Sequence, residues 1–277
     1  MRITIRTLPC VKGEEIPLKT YPLFAPPGQD QESFQTITSV LLSAHISESK
    51  PEPSEFPPGS LLESASGAAF MILGYEWLLV PGDGDVVHSI FAPILRALTD
   101  MPESLEEPFS LRREGWSLAV VTLSDKGWRG EREDGAGPAV AALVAASLPL
   151  SLTRFFLVPD DRGKLKALLA RLALEECYNL ILTSGGTGLS ERDITPETTL
   201  SLLDKTLPGF SFAMTQASLA ITPRAIISRA VAGIIGRCLV INLPGSEKAA
   251  RENLAAILPG LDHALEKLNG DQTDCGA

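Results

Sequence analysis

Residues 183–197, TSGGTGLSERDITPE, place three glycines, several hydroxyl side chains and an Arg-Asp pair directly after the apolar run YNLIL. Glycines reach backbone angles closed to other residues and let N–H groups come close to a ligand, so the turn is a candidate phosphate cradle. It lacks the G-K-[ST] of a Walker A loop and is not G-x-G-x-x-G, so a generic nucleotide motif does not account for it. A tight strand-to-helix turn is the other use of the same glycines. Thr195-Pro196-Glu197 reads as a helix start, with Thr195 as N-cap and Pro196 in the first turn. Asp193 is then left without a capping role. An acidic residue beside a phosphate-sized cradle suits a bridging cation, as Mg²⁺ links carboxylates to nucleotide phosphates; loop-tying hydrogen bonds from Arg192 and Asp193 are the alternative.

A second acidic point closes the preceding strand in FFLVPDD, where Asp160 or Asp161 caps the helix that follows. In an open α/β sheet the loops after successive parallel strands share the carboxyl edge, which would bring Asp160 and Asp193 to one metal–nucleotide site. NLPGS (242–246) repeats the arrangement of an apolar strand running into a turn, with Ser246 available as an N-cap. TLSD (122–125) and EDGAG (133–137) supply a further polar loop on the same edge.

The elements that must position these loops follow Trp116. Strands are predicted in SLAVVTLS, TRFFLV, NLILTS and, as a pair, in AVAGIIGRCLVINLPG; helices in GPAVAALVAASL, RGKLKALLARLALEE, TPETTLSLLDK and PGFSFAMTQASL, and from about residue 246. Leu165, Leu168, Leu169 and Leu172 recur at helical spacing and are assigned to the core. Strands alternating with helices imply a three-layer, mainly parallel α/β domain. The linker TDMPESLEEPFSLRREG places a boundary that gives domains 1–112 and 113–277. The smaller N-terminal domain is expected to be α+β or β-rich, with strands in RITIRTL, FQTITSVLL and AAFMILGYEWLLVPG and a helix near SIFAPILRALTD; VPGDGDVVH reads as a turn.

The net charge of −10 argues against nucleic acid as a partner. A small anion is still allowed, because backbone N–H groups bind phosphate whatever the overall charge. The four cysteines are far apart and form no C-x-x-C pair, which fits reduced thiols in a cytoplasmic protein better than zinc or disulfides. No signal-peptide core opens the sequence, and no apolar run is long enough to span a membrane.

In this order, TLSD, VPDD, TSGGTGLSERDITPE, LPGF, SRA and NLPGS resemble the MogA/MoaB family of molybdenum cofactor biosynthesis proteins, also found as a domain of gephyrin. The likeness spans about residues 116 to 270 and covers none of the first 110. It implies a MogA/MoaB-like fold and molybdopterin adenylyltransferase activity, in which the terminal phosphate of molybdopterin attacks the α-phosphate of Mg-ATP. It places the catalytic and metal-binding carboxylates on Asp160 and Asp193 and the ligand cradle on Gly185, Gly186, Thr187 and Gly188. Ser124, Asp125, Ser228, Asn242, Pro244, Gly245 and Ser246 line the rest. Arg229 either faces a phosphate or forms a structural ion pair, and Glu197 complements its helix dipole. A homotrimer or hexamer, and contacts with other cofactor-biosynthesis proteins, are implied as well. A non-catalytic molybdopterin carrier is the alternative, and a CinA-like pyrophosphatase a third reading.

Overall fold

The computed structural model describes residues 2–6, 10–21, 42–45, 56–81, 87–101 and 106–270. The chain forms two compact units, Met1–Glu114 and Gly115–Ala277.

In the first unit, β1 (Arg2–Arg6), β2 (Glu15–Tyr21), β3 (Leu42–His45), β4 (Leu61–Ser64), β5 (Ala69–Pro81), β6 (Val87–Ala97) and β7 (Glu106–Arg112) close a barrel in the order β1-β3-β2-β6-β5-β4-β7. Closure pairs β1 with β7, Thr4 opposite Pro108, so neither strand is left as a free edge there. Ile16, Leu62, Phe70, Ile72, Leu95 and Phe109 form the apolar core, with the Phe70 and Phe109 rings 5.7 Å apart. The unit is therefore β-rich. The helix expected near SIFAPILRALTD is instead part of strand β6: β5 runs antiparallel beside it from Phe70 opposite Ala97 to Pro81 opposite Val87. That long ladder overrides a local spacing that suits either element. Most of FQTITSVLL and the tip of VPGDGDVVH lie outside the described residues.

The second unit is a six-stranded sheet in the order β11-β12-β13-β10-β8-β9. Its parallel centre consists of β8 (Trp116–Leu123), β9 (Leu150–Val158), β10 (Leu180–Ser184) and β13 (Cys238–Leu243); β12 (Ala232–Ile235) and β11 (Lys205–Thr206) continue it antiparallel. Side chains alternate across the central strands. Leu118, Val120, Leu180, Leu182, Leu239 and Ile241 pack against α2 (Ala136–Ala145), α5 (Pro208–Ile221) and α6 (Glu247–Leu268). Ala119, Val121, Ile181 and Val240 are equally buried but belong to the opposite face, and the third layer comes from α3 (Arg162–Ala170), which buries Leu165 and Leu169. That helix closes in a π-helical turn, Arg171–Glu175, and the next residue but one, Cys177, takes a left-handed φ of 57°.

The chain passes from β8 to β9 on one side and then crosses back to β10 on the other side of β8. This reversal opens a crevice at the carboxyl ends of β8 and β10, where ligands bind in such sheets. Among the described residues no helix is long and apolar enough to cross a membrane.

Two consequences are measurable. Leu254 is fully buried between α6 and the sheet, so Leu254→Ala lowers unfolding free energy by about 2–5 kcal/mol, read from urea denaturation of the second unit in the full chain. Cys238 is wholly buried and burial pushes its thiol up, so it resists alkylation at neutral pH until the unit unfolds, which peptide mass spectrometry across a denaturant series will show.

Candidate functional site

The glycine turn leaves β10 with Gly185 at φ 107° and Gly186 at φ 64°, a left-handed pair that side chains rarely adopt. Gly185 N–H donates to Leu243 O at 3.1 Å, and the Ser184 hydroxyl donates to Pro244 O at 3.1 Å. A methyl group on Gly185 would stand 2.6 Å from Leu123 O, and one on Gly245 would stand 3.1 Å from Gly185 Cα. The loops that follow β8, β10 and β13 are thus pressed together backbone to backbone.

Thr195 does not cap α4 (Thr195–Leu200). Its buried hydroxyl donates to Gly185 O at 2.8 Å and its N–H to Gly186 O at 3.1 Å, while Ile194 takes the N-cap position without a side-chain bond. Pro196 in the first turn begins the helix, and Thr195 closes the glycine loop.

The other end of the loop is tied by Asp193 and Arg229. Asp193 Oδ2 accepts from Ser190 N at 2.8 Å, and a methyl on Gly188 would meet that oxygen at 2.9 Å. Desolvation alone would raise the Asp193 carboxyl, but hydrogen bonds from Ser190 and Gly188, with the charge of Arg229, outweigh it and hold the group below the usual aspartate value. Arg229 Nε donates to Gly188 O at 2.7 Å, Nη2 donates to Asp193 O at 2.6 Å, and Nη1 pairs with Glu197. Of the two roles open to Arg229 from sequence, the structure shows the ion pair. Glu197 is its partner in addition to standing in the first turn of α4.

Facing this loop, Asp161 caps α3 by accepting from Lys164 N at 2.8 Å, which leaves Asp160 free of that duty. Asp160 and Asp125 grip each other's backbone: Asp160 N donates to Asp125 Oδ1 at 3.0 Å, and Asp125 N to Asp160 Oδ2 at 3.4 Å. The other carboxylate oxygen of Asp125 pairs with Arg192. Desolvation raises the Asp160 carboxyl above its ordinary value; the charges of Asp125 and Asp193 add to the rise, while the bond from Asp125 N and the charge of Arg192 oppose it. The charges of Asp125 and Asp193 thus both reach Asp160 at a single edge. Among the described residues no three Asp, Glu, His or Cys side chains form a metal cage of their own.

The remaining positions divide by role. Ser124 caps the short helix α1 (Asp125–Trp128), and Ser246 caps α6 by accepting from Ala249 N at 3.3 Å. Asn242 is wholly buried beneath the loop; its Nδ2 donates to the hydroxyls of Thr183 and Thr199, each at 3.0 Å, while its Oδ1 is buried without a partner. Thr187 is buried and its carbonyl accepts from Arg229 N, whereas Ser228 is half-buried at the end of the short 3₁₀ turn Pro223–Ile227. Next to the loop lies a cleft of about 340 Å³ lined by Arg162, Ser190, Asp193, Glu197 and Arg229, among others. Sequence reading missed Arg162, which looked like an ordinary first residue of α3, and the brace in which the Thr122 hydroxyl donates to Asp134 Oδ2 at 2.6 Å.

Residues 119–263 match a family described as "Probable molybdopterin binding domain". The chain belongs to this family. It is 37% identical over 156 residues to molybdopterin adenylyltransferase of Helicobacter pylori, covering 56% of this chain and 88% of that protein. It is 36% identical over 186 residues to gephyrin of Dictyostelium discoideum, covering 63% of this chain. The chain spans only 26% of the length of that gephyrin, and 26% of the Drosophila melanogaster molybdenum cofactor synthesis protein cinnamon. A solved structure of the molybdopterin biosynthesis enzyme MoaB from Thermus thermophilus superposes with a TM-score of 0.53 at 45% identity, covering 56% of this chain and 98% of the MoaB chain. The family match falls within the α/β unit, whose sheet and layers are those of a MogA/MoaB-like fold.

Because Arg229 holds two carbonyls and Glu197 with one guanidinium, Arg229→Ala frees the loop. Amide hydrogen exchange across residues 186–194 then rises by about tenfold or more, and Arg229→Lys, with a single ammonium, does not restore protection.

Proposed function

We propose that the domain of residues 113–277 is a molybdopterin adenylyltransferase, transferring AMP from Mg-ATP to the terminal phosphate of molybdopterin. A phosphate oxygen of the pterin attacks the α-phosphorus of ATP, the bond between the α-phosphorus and its bridging oxygen to the β-phosphate breaks, and pyrophosphate leaves. The observation that carries this reading is the meeting of Asp125, Asp160 and Asp193 with the glycine loop at the crevice between β8 and β10. Its relatives named molybdopterin adenylyltransferase support the choice of substrates.

Phosphoryl transfer is accelerated mainly by positioning and by neutralising charge on the transferring group. The loop from Gly185 to Gly188 opens with a left-handed glycine pair, a backbone conformation that suits a phosphate cradle. Asp193 is held in place by Ser190 and by the Arg229 strap, so its carboxylate keeps one orientation at low conformational cost. Asp160 faces it from the end of β9, fixed through Asp125. The chemistry of these donors fits Mg²⁺, which is commonly bound by one or two carboxylates together with substrate phosphates. When bound, the ion would be held by Asp160 and Asp193 and would offset charge on the ATP phosphates.

Homotrimeric or hexameric assembly in the cytoplasm belongs to the same proposal. Phe212, Leu219, Ile221, Ile226 and Ile227 on α5 and the neighbouring 3₁₀ turn are exposed apolar side chains that an assembly of copies would cover. Among the described residues Cys10, Cys177 and Cys238 form no disulfide.

Asp160→Asn and Asp193→Asn remove charge without removing volume. Each should lower the rate of pterin-dependent pyrophosphate release by about a hundredfold or more while pterin binding, followed by fluorescence, changes little. Turnover within a factor of about two of the parent in both variants would contradict the assignment. Pterin binding by the unaltered protein without any AMP transfer would favour the carrier reading.

A further inference from the structure

The two arginines at the glycine loop are used differently. Arg229 is committed to three acceptors, and moving it would loosen the loop. Arg192, at the loop tip, leaves 71% of its side chain exposed and has Asp125 as its partner, whose own side chain is only 17% exposed. Asp125 Oδ1 is occupied by Asp160 N, so Arg192 sits on the remaining oxygen of a carboxylate that faces the crevice. Asp160 and Asp193 press further negative charge onto the same place, and Arg192 is the cation that relieves it.

A long arginine that is itself mostly exposed can swing out into solvent, and it occupies ground that a divalent cation would also favour. Its neighbour Asp193 is fixed by Ser190, so a displaced guanidinium stays within side-chain reach of the crevice. We propose that Arg192 is the resident counter-ion of the Asp125–Asp160 pair, gives way when a divalent cation enters with nucleotide, and then turns its guanidinium to the nucleotide phosphates. This makes it a positioning residue in the empty protein and a phosphate-facing one in the loaded protein. The inference rests on the metal–nucleotide reading given above.

The test is a titration of free Mn²⁺, read by its electron paramagnetic resonance signal, into the full-length protein with a non-hydrolysable ATP analogue. Without nucleotide, Arg192→Gln should bind Mn²⁺ about threefold to fivefold tighter than the parent, because the competing cation is gone, whereas Arg192→Lys stays close to the parent. With nucleotide, Arg192→Gln should bind the analogue about tenfold more weakly, having lost the phosphate contact. Mn²⁺ affinity in Arg192→Gln equal to or weaker than in the parent, with the parent itself binding, overturns the counter-ion role while leaving the metal–nucleotide reading intact. Unchanged affinity for the analogue overturns the phosphate-facing role. A parent protein that binds no Mn²⁺ even with the analogue overturns the metal–nucleotide reading and this inference together.

Discussion

Gly185 lies where the loops after β8, β10 and β13 meet, its N–H donating to Leu243 O and its carbonyl accepting from Thr195 Oγ1. Leu123 O leaves no room for a side chain on Gly185, and Gly185 Cα in turn crowds any side chain placed on Gly245. The rest of the site follows from that close approach. The turn after β10 can fold back over the ends of its neighbours only because its first two residues are glycines with positive φ, and the following residues, Thr187 to Asp193, are carried across to face the loop after β9. Asn242 supports the turn from below through Thr183 and Thr199, and Arg229 straps it from above.

The same geometry creates an electrostatic problem that the fold answers locally. Asp125, Asp160 and Asp193 come from three separate loops, and the charges of Asp125 and Asp193 add to the desolvation that raises the Asp160 carboxyl. Ser190 and Gly188 N–H groups stabilise Asp193 as the anion, whereas Asp160, more deeply desolvated, is pushed the other way.

Much of the α/β unit was legible because its signals are local. The leucines of α3 fall at helical spacing, the strands read as apolar runs covered on both faces, and alternation of the two implies a parallel sheet whose carboxyl edge holds the loops. The choice between Asp160 and Asp161 was not legible, since either side chain can cap α3 and only the geometry shows Asp161 doing so. Thr195 misled for a similar reason: Thr-Pro-Glu is a sound helix start, but the hydroxyl had a better acceptor in Gly185 O, ten residues back in sequence. In the barrel, β6 carries a proline and an apolar spacing compatible with a helix, and its state was decided by pairing along β5, which no local pattern contains.

The chemistry of the product decides most directly whether this site transfers AMP. Purified full-length protein is mixed with Mg-ATP and molybdopterin, and the pterin is analysed by mass. Adenylylated molybdopterin is expected together with one pyrophosphate per transfer, formed only when pterin, nucleotide and Mg²⁺ are all present. Bound molybdopterin recovered unmodified, or ATP hydrolysed to AMP at the same rate without pterin, would contradict it.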